Sequence, residues 1–140
     1  MERQEFLRLL GAAGLAVCAG CTLESCANNN AVPSAPTNVD FTLDLTASQN
    51  AALLVTGGYL YHGGLIVVCL NASTKVYDAV SQACTHEGTT VVYQAGSNQF
   101  YCASHGSRFN TAGGVVSGPA PSALQKYNTT LTGTSLRVFS

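Results

Sequence analysis

Cys84, His86, Cys102 and His105 are the residues of this chain best suited to metal chemistry. They lie in two short boxes, Cys84-Thr85-His86-Glu87-Gly88 and Cys102-Ala103-Ser104-His105-Gly106-Ser107, each with one Cys and one His. Thiolate and neutral imidazole are both good ligands for iron and zinc. Four such donors converge only if a scaffold presents two loops side by side, one ligand pair per loop. Within the first box one residue separates Cys from His; within the second, two do. A Cys2His2 zinc finger pairs its cysteines with each other and its histidines with each other, so mixed boxes do not fit that pattern. A zinc site of another kind stays open on the residues alone. A catalytic Cys–His pair is disfavoured, because the sequence identifies no orienting third group and no oxyanion hole.

With these boxes the chain resembles the Rieske iron–sulfur family, whose boxes run Cys-x-His and Cys-x-x-His at about this separation. The resemblance continues through His105-Gly106-Ser107-Arg108-Phe109 and then Gly118-Pro119-Ala120-Pro121, which is similar to the family's covering proline loop. It spans roughly residues 39–140. The resemblance implies one Rieske-type 2Fe–2S cluster, with Cys84 and Cys102 on one iron and His86 and His105 on the other. Two neutral imidazoles in place of two thiolates remove negative charge from such a cluster and favour its reduced state. Rieske centres therefore lie well above all-Cys plant-type ferredoxins in potential. By the same resemblance the histidine-bound iron sits at the exposed tip, and the imidazoles link electron to proton transfer.

Several positions depart from the quinol-oxidising members. Those carry an extra cysteine in each box, joined as a disulfide; here Thr89 and Ser104 hold these positions. Ser107 matches the family's serine that donates a hydrogen bond to cluster sulfur. Phe109 stands where high-potential members have a tyrosine, and Phe donates nothing. Glu87 replaces the usual leucine, and a carboxylate there stabilises the more positive, oxidised state. All of this implies a potential below that of quinol-oxidising relatives, and makes a quinone-docking tip doubtful.

Around these residues, 140 amino acids suffice for one domain with a core. Charged residues are 9% and the formal net charge is −1, with no basic run, so nucleic acid is excluded as a partner. No uninterrupted apolar run reaches the ~18 residues of a spanning helix. Residues 1–20 read as a signal peptide: a charged start (Glu2, Arg3, Glu5, Arg8), then an uncharged run from Leu9 to Gly20. Ala19-Gly20-Cys21 resembles a lipoprotein cleavage box, with Cys18 where a Leu is usual, and makes Cys21 the candidate lipidation site. Arg3-Gln4-Glu5-Phe6-Leu7-Arg8 resembles a twin-arginine export motif with Gln4 in place of the second arginine. Residues 21–38, with Asn28-Asn29-Asn30, Pro33 and Pro36, read as a lipid-anchored flexible tether. Fully extended, residues 22–38 reach at most about 55–60 Å.

Residues 39–140 read as short strands separated by Gly and Asn, an all-β domain: a Rieske-type antiparallel sandwich with two cluster-binding loops and a proline loop. Phe41, Leu43 and Leu45 alternate with polar neighbours, a half-buried strand. Residues 65–70 form a continuous apolar run, as expected of a central strand covered on both faces. Further strands are expected at 51–55, 59–61, 76–80, 90–93, 99–102, 115–116, 127–131 and 136–139, with Cys69 as a buried thiol. The expected function is one-electron transfer between protein redox partners, such as a cytochrome or membrane oxidoreductase. The place expected is the bacterial envelope, exported and membrane-anchored. Two alternatives remain at this level: a fixed small subunit of an arsenite-oxidase-like or quinol-oxidising complex, and a zinc-binding interaction domain without redox chemistry. A cytosolic ferredoxin feeding an oxygenase is disfavoured only by the leader.

Overall fold

Leu65, Val67 and Cys69 face one hydrophobic core, while Ile66 and Val68 face another. Successive strand residues point to opposite faces, so the run at 65–70 is apolar throughout because both its faces are covered. The computed structural model describes residues 32–140, and this central strand, β3 (Leu65–Asn71), organises them. It pairs with β2 (Tyr59–His62) on one side and β4 (Val76–Ser81) on the other. Strand β4 continues through a two-residue pairing to β9 (Lys126–Thr132), then β10 (Ser135–Phe139) and β1 (Asp40–Asp44). The resulting six-stranded sheet has the order β1-β10-β9-β4-β3-β2. Because the β4–β9 contact is so short, the two halves curl over each other and enclose Leu43, Leu53, Leu136 and Val138 with the odd face of β3.

A smaller sheet covers the even face. Its strands β5 (Val92–Gln94), β6 (Gln99–Tyr101), β7 (Arg108–Asn110) and β8 (Val115–Ser117) lie in sequence order. All pairings in both sheets are antiparallel, so the all-β antiparallel architecture expected from the sequence is the observed one. Both Cys84 and Cys102 belong to the core between the sheets, together with Phe100, Phe109, Ala120 and Leu124.

One local expectation needs correction, and one strand has no counterpart among those expected. Residues 51–55 are not a strand: Ser48–Leu54 is a 3-10 helix. Here Ala-Ala-Leu-Leu supplies no alternation, Leu53 alone is a fully buried anchor, and Asn50 is held by its side-chain N–H donating to the Asp44 carbonyl at 2.8 Å. The strand β7 was not expected, because Arg-Phe-Asn offers one inward apolar residue and no repeat. Pro33 and Pro36, read from sequence as tether, lie against the sheets. The Pro36 carbonyl accepts a 2.7 Å bond from the hydroxyl of Tyr127. The leader, the twin-arginine-like motif and Cys21 fall outside the described residues. Among the described residues no helix is long and apolar enough to cross a membrane.

Candidate metal centre

The two boxes fold into the same backbone turn. In the first, Cys84 N–H donates to the Thr89 carbonyl (2.9 Å) and Gly88 N–H donates to the Cys84 carbonyl (2.7 Å). In the second, Cys102 N–H donates to the Ser107 carbonyl (2.9 Å) and Gly106 N–H to the Cys102 carbonyl (3.0 Å). The glycines match as well, with φ of +79° at Gly88 and +78° at Gly106. Equivalent turns start from equivalent cysteines, so the differing Cys-to-His spacing places the two histidines at successive positions of one shape.

The first box lies between β4 and β5, and an isolated Ala83–Thr90 bridge closes its base. The second joins β6 to β7. Side by side, the loops bury both cysteines and leave the histidines outward: Cys84 is 0% and Cys102 1% exposed, whereas the His105 side chain is 44% exposed. Nδ1 of His86 stands 3.1 Å from Nδ1 of His105, the rings nearly perpendicular at 87°. Glu87 Oε2 lies 3.6 Å from the same His105 nitrogen.

These residues fit a metal-containing group. Two nitrogen donors on one tetrahedral ion at 2.0–2.1 Å bonds are separated by about 3.3 Å, close to the observed Nδ1–Nδ1 distance. Burial above all pushes the Cys84 thiol up, and the adjoining Cys102 thiol adds to this, while the backbone N–H groups of His86 and Glu87 act in the opposite direction. A coordinating cysteine is the thiolate, so a bound cation takes the place of the thiol proton. The inter-ring distance alone suits zinc as well as iron.

The third loop, between β8 and β9, carries Gly118-Pro119-Ala120-Pro121. Ala120 N–H donates to Ser107 Oγ at 3.1 Å, and Ser107 is fully buried. With one lone pair so occupied, the Ser107 proton is directed elsewhere, and no protein acceptor for it is found among the described residues. Phe109 is fully buried opposite Phe100 in the β6–β7 pairing, in the same core as both cysteines. Pro119 is exposed and directly precedes Ala120, whose N–H reaches Ser107. The structure thus brings together Cys84, His86, Cys102, His105 and Ser107. Phe109 and Pro119 stand behind and beside them. Two supports escaped the sequence reading: Thr85 Oγ1 donates to the Ser122 carbonyl at 2.7 Å, tying the first box to the proline loop, and Arg108 donates to Gln94 Oε1 at 2.8 Å, tying β7 to β5. Thr85 was visible as the residue between Cys and His, but its partner was not.

Comparisons with known proteins agree with this geometry. The sequence model of the Rieske [2Fe-2S] domain matches residues 43–128. Cytochrome b6-f complex iron-sulfur subunit 2 of Synechocystis sp. is 35% identical over 89 residues, 64% of this chain and 49% of that subunit. The chain thus spans about half the length of that curated relative, and smaller shares of several others. Among solved structures, the cyanobacterial plasma membrane Rieske protein PetC3 from Synechocystis PCC 6803 is 30% identical, with a TM-score of 0.55 over 64% of this chain and 93% of that one. The ferredoxin of carbazole 1,9a-dioxygenase from Nocardioides aromaticivorans, 24% identical, shares the fold with a TM-score of 0.53 over 76% of this chain and 98% of its own. Nothing in these likenesses supports the zinc-binding alternative. The chain belongs to the Rieske [2Fe-2S] domain family, and its cofactor is a Rieske-type 2Fe–2S cluster.

Proposed function

We propose that this protein is a one-electron carrier of the cell envelope, passing electrons between protein redox partners. The observation that carries the reading is the pair of outward histidines, Nδ1 to Nδ1 at 3.1 Å, above two buried cysteines in a Rieske-family chain. In this reading Cys84 and Cys102 would hold one iron of the cluster, and His86 and His105 the other. The cluster, when bound, accepts and returns a single electron. The buried cysteines keep its inner side dry, and the histidine rings carry the path to the surface. With each Nδ1 turned toward the other ring, Nε2 is left on the far side of each imidazole.

A leader over 1–20, a lipid on Cys21 and a tether from there would place the domain on the periplasmic side of the inner membrane, or at the outer membrane. The relatives named for the plasma membrane and for the cytochrome b6-f complex support a membrane setting and protein partners. A fixed subunit of a larger oxidoreductase is the second reading, favoured by those b6-f relatives. Purification from native membranes separates the two. A free carrier leaves with its lipid alone, and a subunit leaves with its complex. Iron and acid-labile sulfide analysis, with EPR of the reduced protein, tests the cluster. Absence of both elements from protein prepared under reducing, anaerobic conditions would sink the proposal.

The potential is expected below that of quinol-oxidising relatives, within the Rieske range of about −150 to +300 mV. Glu87, close to His105, and the donor-free Phe109 both act against reduction. A hydroxyl donating to cluster sulfur stabilises the more negative, reduced state. Ser107→Ala should therefore lower the potential by on the order of 60–100 mV, taking a charge-assisted hydrogen bond at 59 mV per tenfold in a one-electron couple. Phe109→Tyr should raise it by about 60 mV on the same scale. Redox titration of the two variants checks both, and a shift of either in the opposite direction would contradict the assigned role.

A further inference from the structure

The two cluster loops are copies of one turn, yet among the described residues only the first has its closing glycine covered. Among the described residues a Cβ on Gly106 would meet nothing within 4 Å, whereas a Cβ on Gly88 would collide with Pro33 Cδ. The Pro33 ring thus rests on the backbone of the residue whose N–H closes the first turn onto Cys84. Three residues along, Pro36 lies over Gly64, its Cγ 2.8 Å from where a Cβ would stand. The Gly64 carbonyl in turn accepts the N–H of Gln82, at 3.0 Å, on the approach to Cys84. The Pro36 carbonyl is pinned by the buried Tyr127 of β9. Clefts of about 330 and 150 Å³, both lined by Ser81 and Ala83, flank the segment, so it bridges from point to point.

We propose that residues 33–36 are a strap that fastens the first cluster loop, and that Pro33, Pro36 and Tyr127 are positioning residues for the loop that carries Cys84 and His86. The strap holds the first loop against the body of the domain by contact alone. Its prolines hold φ near the extended value before docking, so ordering it costs little backbone entropy. Among the described residues the second loop has no proline over its glycine and is held by its own turn, by Gly118 packed on Ser107 and by the Ser107–Ala120 bond. The effect on the cluster rests on the 2Fe–2S reading; the effect on the loop does not.

The test uses the full chain with its cluster, comparing the wild type with Tyr127→Phe and with the surface double variant Pro33→Gly/Pro36→Gly. Hydrogen exchange by mass spectrometry is followed in peptides covering 84–91 and 102–108, whose matched turns serve as each other's control. Both variants should exchange about five- to tenfold faster in the first peptide, the scale of one lost hydrogen bond, with the second unchanged. The visible absorbance should bleach faster in a chelator by a similar factor, and the EPR g-values of the reduced protein should move. Unchanged exchange in the first peptide, or equal acceleration in both, overturns the strap. Faster exchange in the first peptide with wild-type bleaching and g-values overturns its role toward the cluster. Failure of the 2Fe–2S reading shows separately, as absent iron and sulfide, and leaves the contrast between peptides to decide the strap.

Discussion

Cys102→Ser should yield a folded protein with little or no iron or acid-labile sulfide and no visible absorption. Cys102 is 1% exposed and adjoins the Cys84 thiol in the core between the sheets. A serine hydroxyl does not ionise near neutral pH, so the inner pair of ligands would lose one of its two anions. Metal affinity depends on ligand deprotonation, which is why losing a thiolate counts for far more than losing a neutral contact. Stability falls less: a buried hydroxyl lacking a full set of partners costs about 1–3 kcal/mol, and the core around the odd face of β3 is untouched. Far-ultraviolet circular dichroism should therefore stay β-type while iron content collapses. Cys69→Ala is the control. That thiol is equally buried, but it sits on β3 in the opposite core, so the variant should keep its iron and lose only packing. Full iron content in Cys102→Ser, or loss of iron in Cys69→Ala, would undo the assignment of the inner ligands.

Gly118→Ala should cost the domain far more stability than an added methyl group ordinarily does. Gly118 has φ of +94°, and its Cβ would stand 2.5 Å from Ser107 Cα and 2.9 Å from Ser107 N. Strain at a left-handed residue alone costs roughly 1–2 kcal/mol. Here backbone must also move against backbone, and the loss should exceed about 3 kcal/mol. For a domain near 100 residues that corresponds to a fall in Tm of more than about 10 °C. Gly106→Ala separates the two causes, since φ there is +78° but the added methyl meets nothing. With nothing in its way among the described residues, it should cost only the conformational part. Because the proline loop would lift from Ser107 and break the Ala120 bond, Gly118→Ala should also lower the reduction potential, whereas Gly106→Ala should change it less. Calorimetry with redox titration checks both halves, and equal losses in the two variants would remove the close-approach argument.

The legible parts of this protein are those whose causes are local. Both boxes could be recognised because a turn closed by bonds from residue 1 to residues 5 and 6 is specified by a few consecutive residues. The glycines at its fifth position sit in the sequence at the same offset from Cys84 and Cys102. The central place of β3 was legible because a strand covered on both faces must be apolar at every position. The 3-10 helix at Ser48–Leu54 and strand β7 were not. The first has one buried leucine, the second one buried phenylalanine, and neither repeats often enough to reveal a period.

The sequence by itself determined which side chains could hold a cluster, the all-β class and the family, since ligand type, spacing and alternation are written in neighbouring residues. Only the tertiary structure decided what holds those side chains still. The bond from Thr85 spans 37 residues to Ser122 and that from Tyr127 spans 91 residues to Pro36. Such contacts form only after the sheets have packed and closed loops of that length, so no local pattern records them. For the same reason Pro33 and Pro36 read as leash in the chain and as strap in the fold: proline sets its own φ, but what lies beneath it is chosen by residues far away.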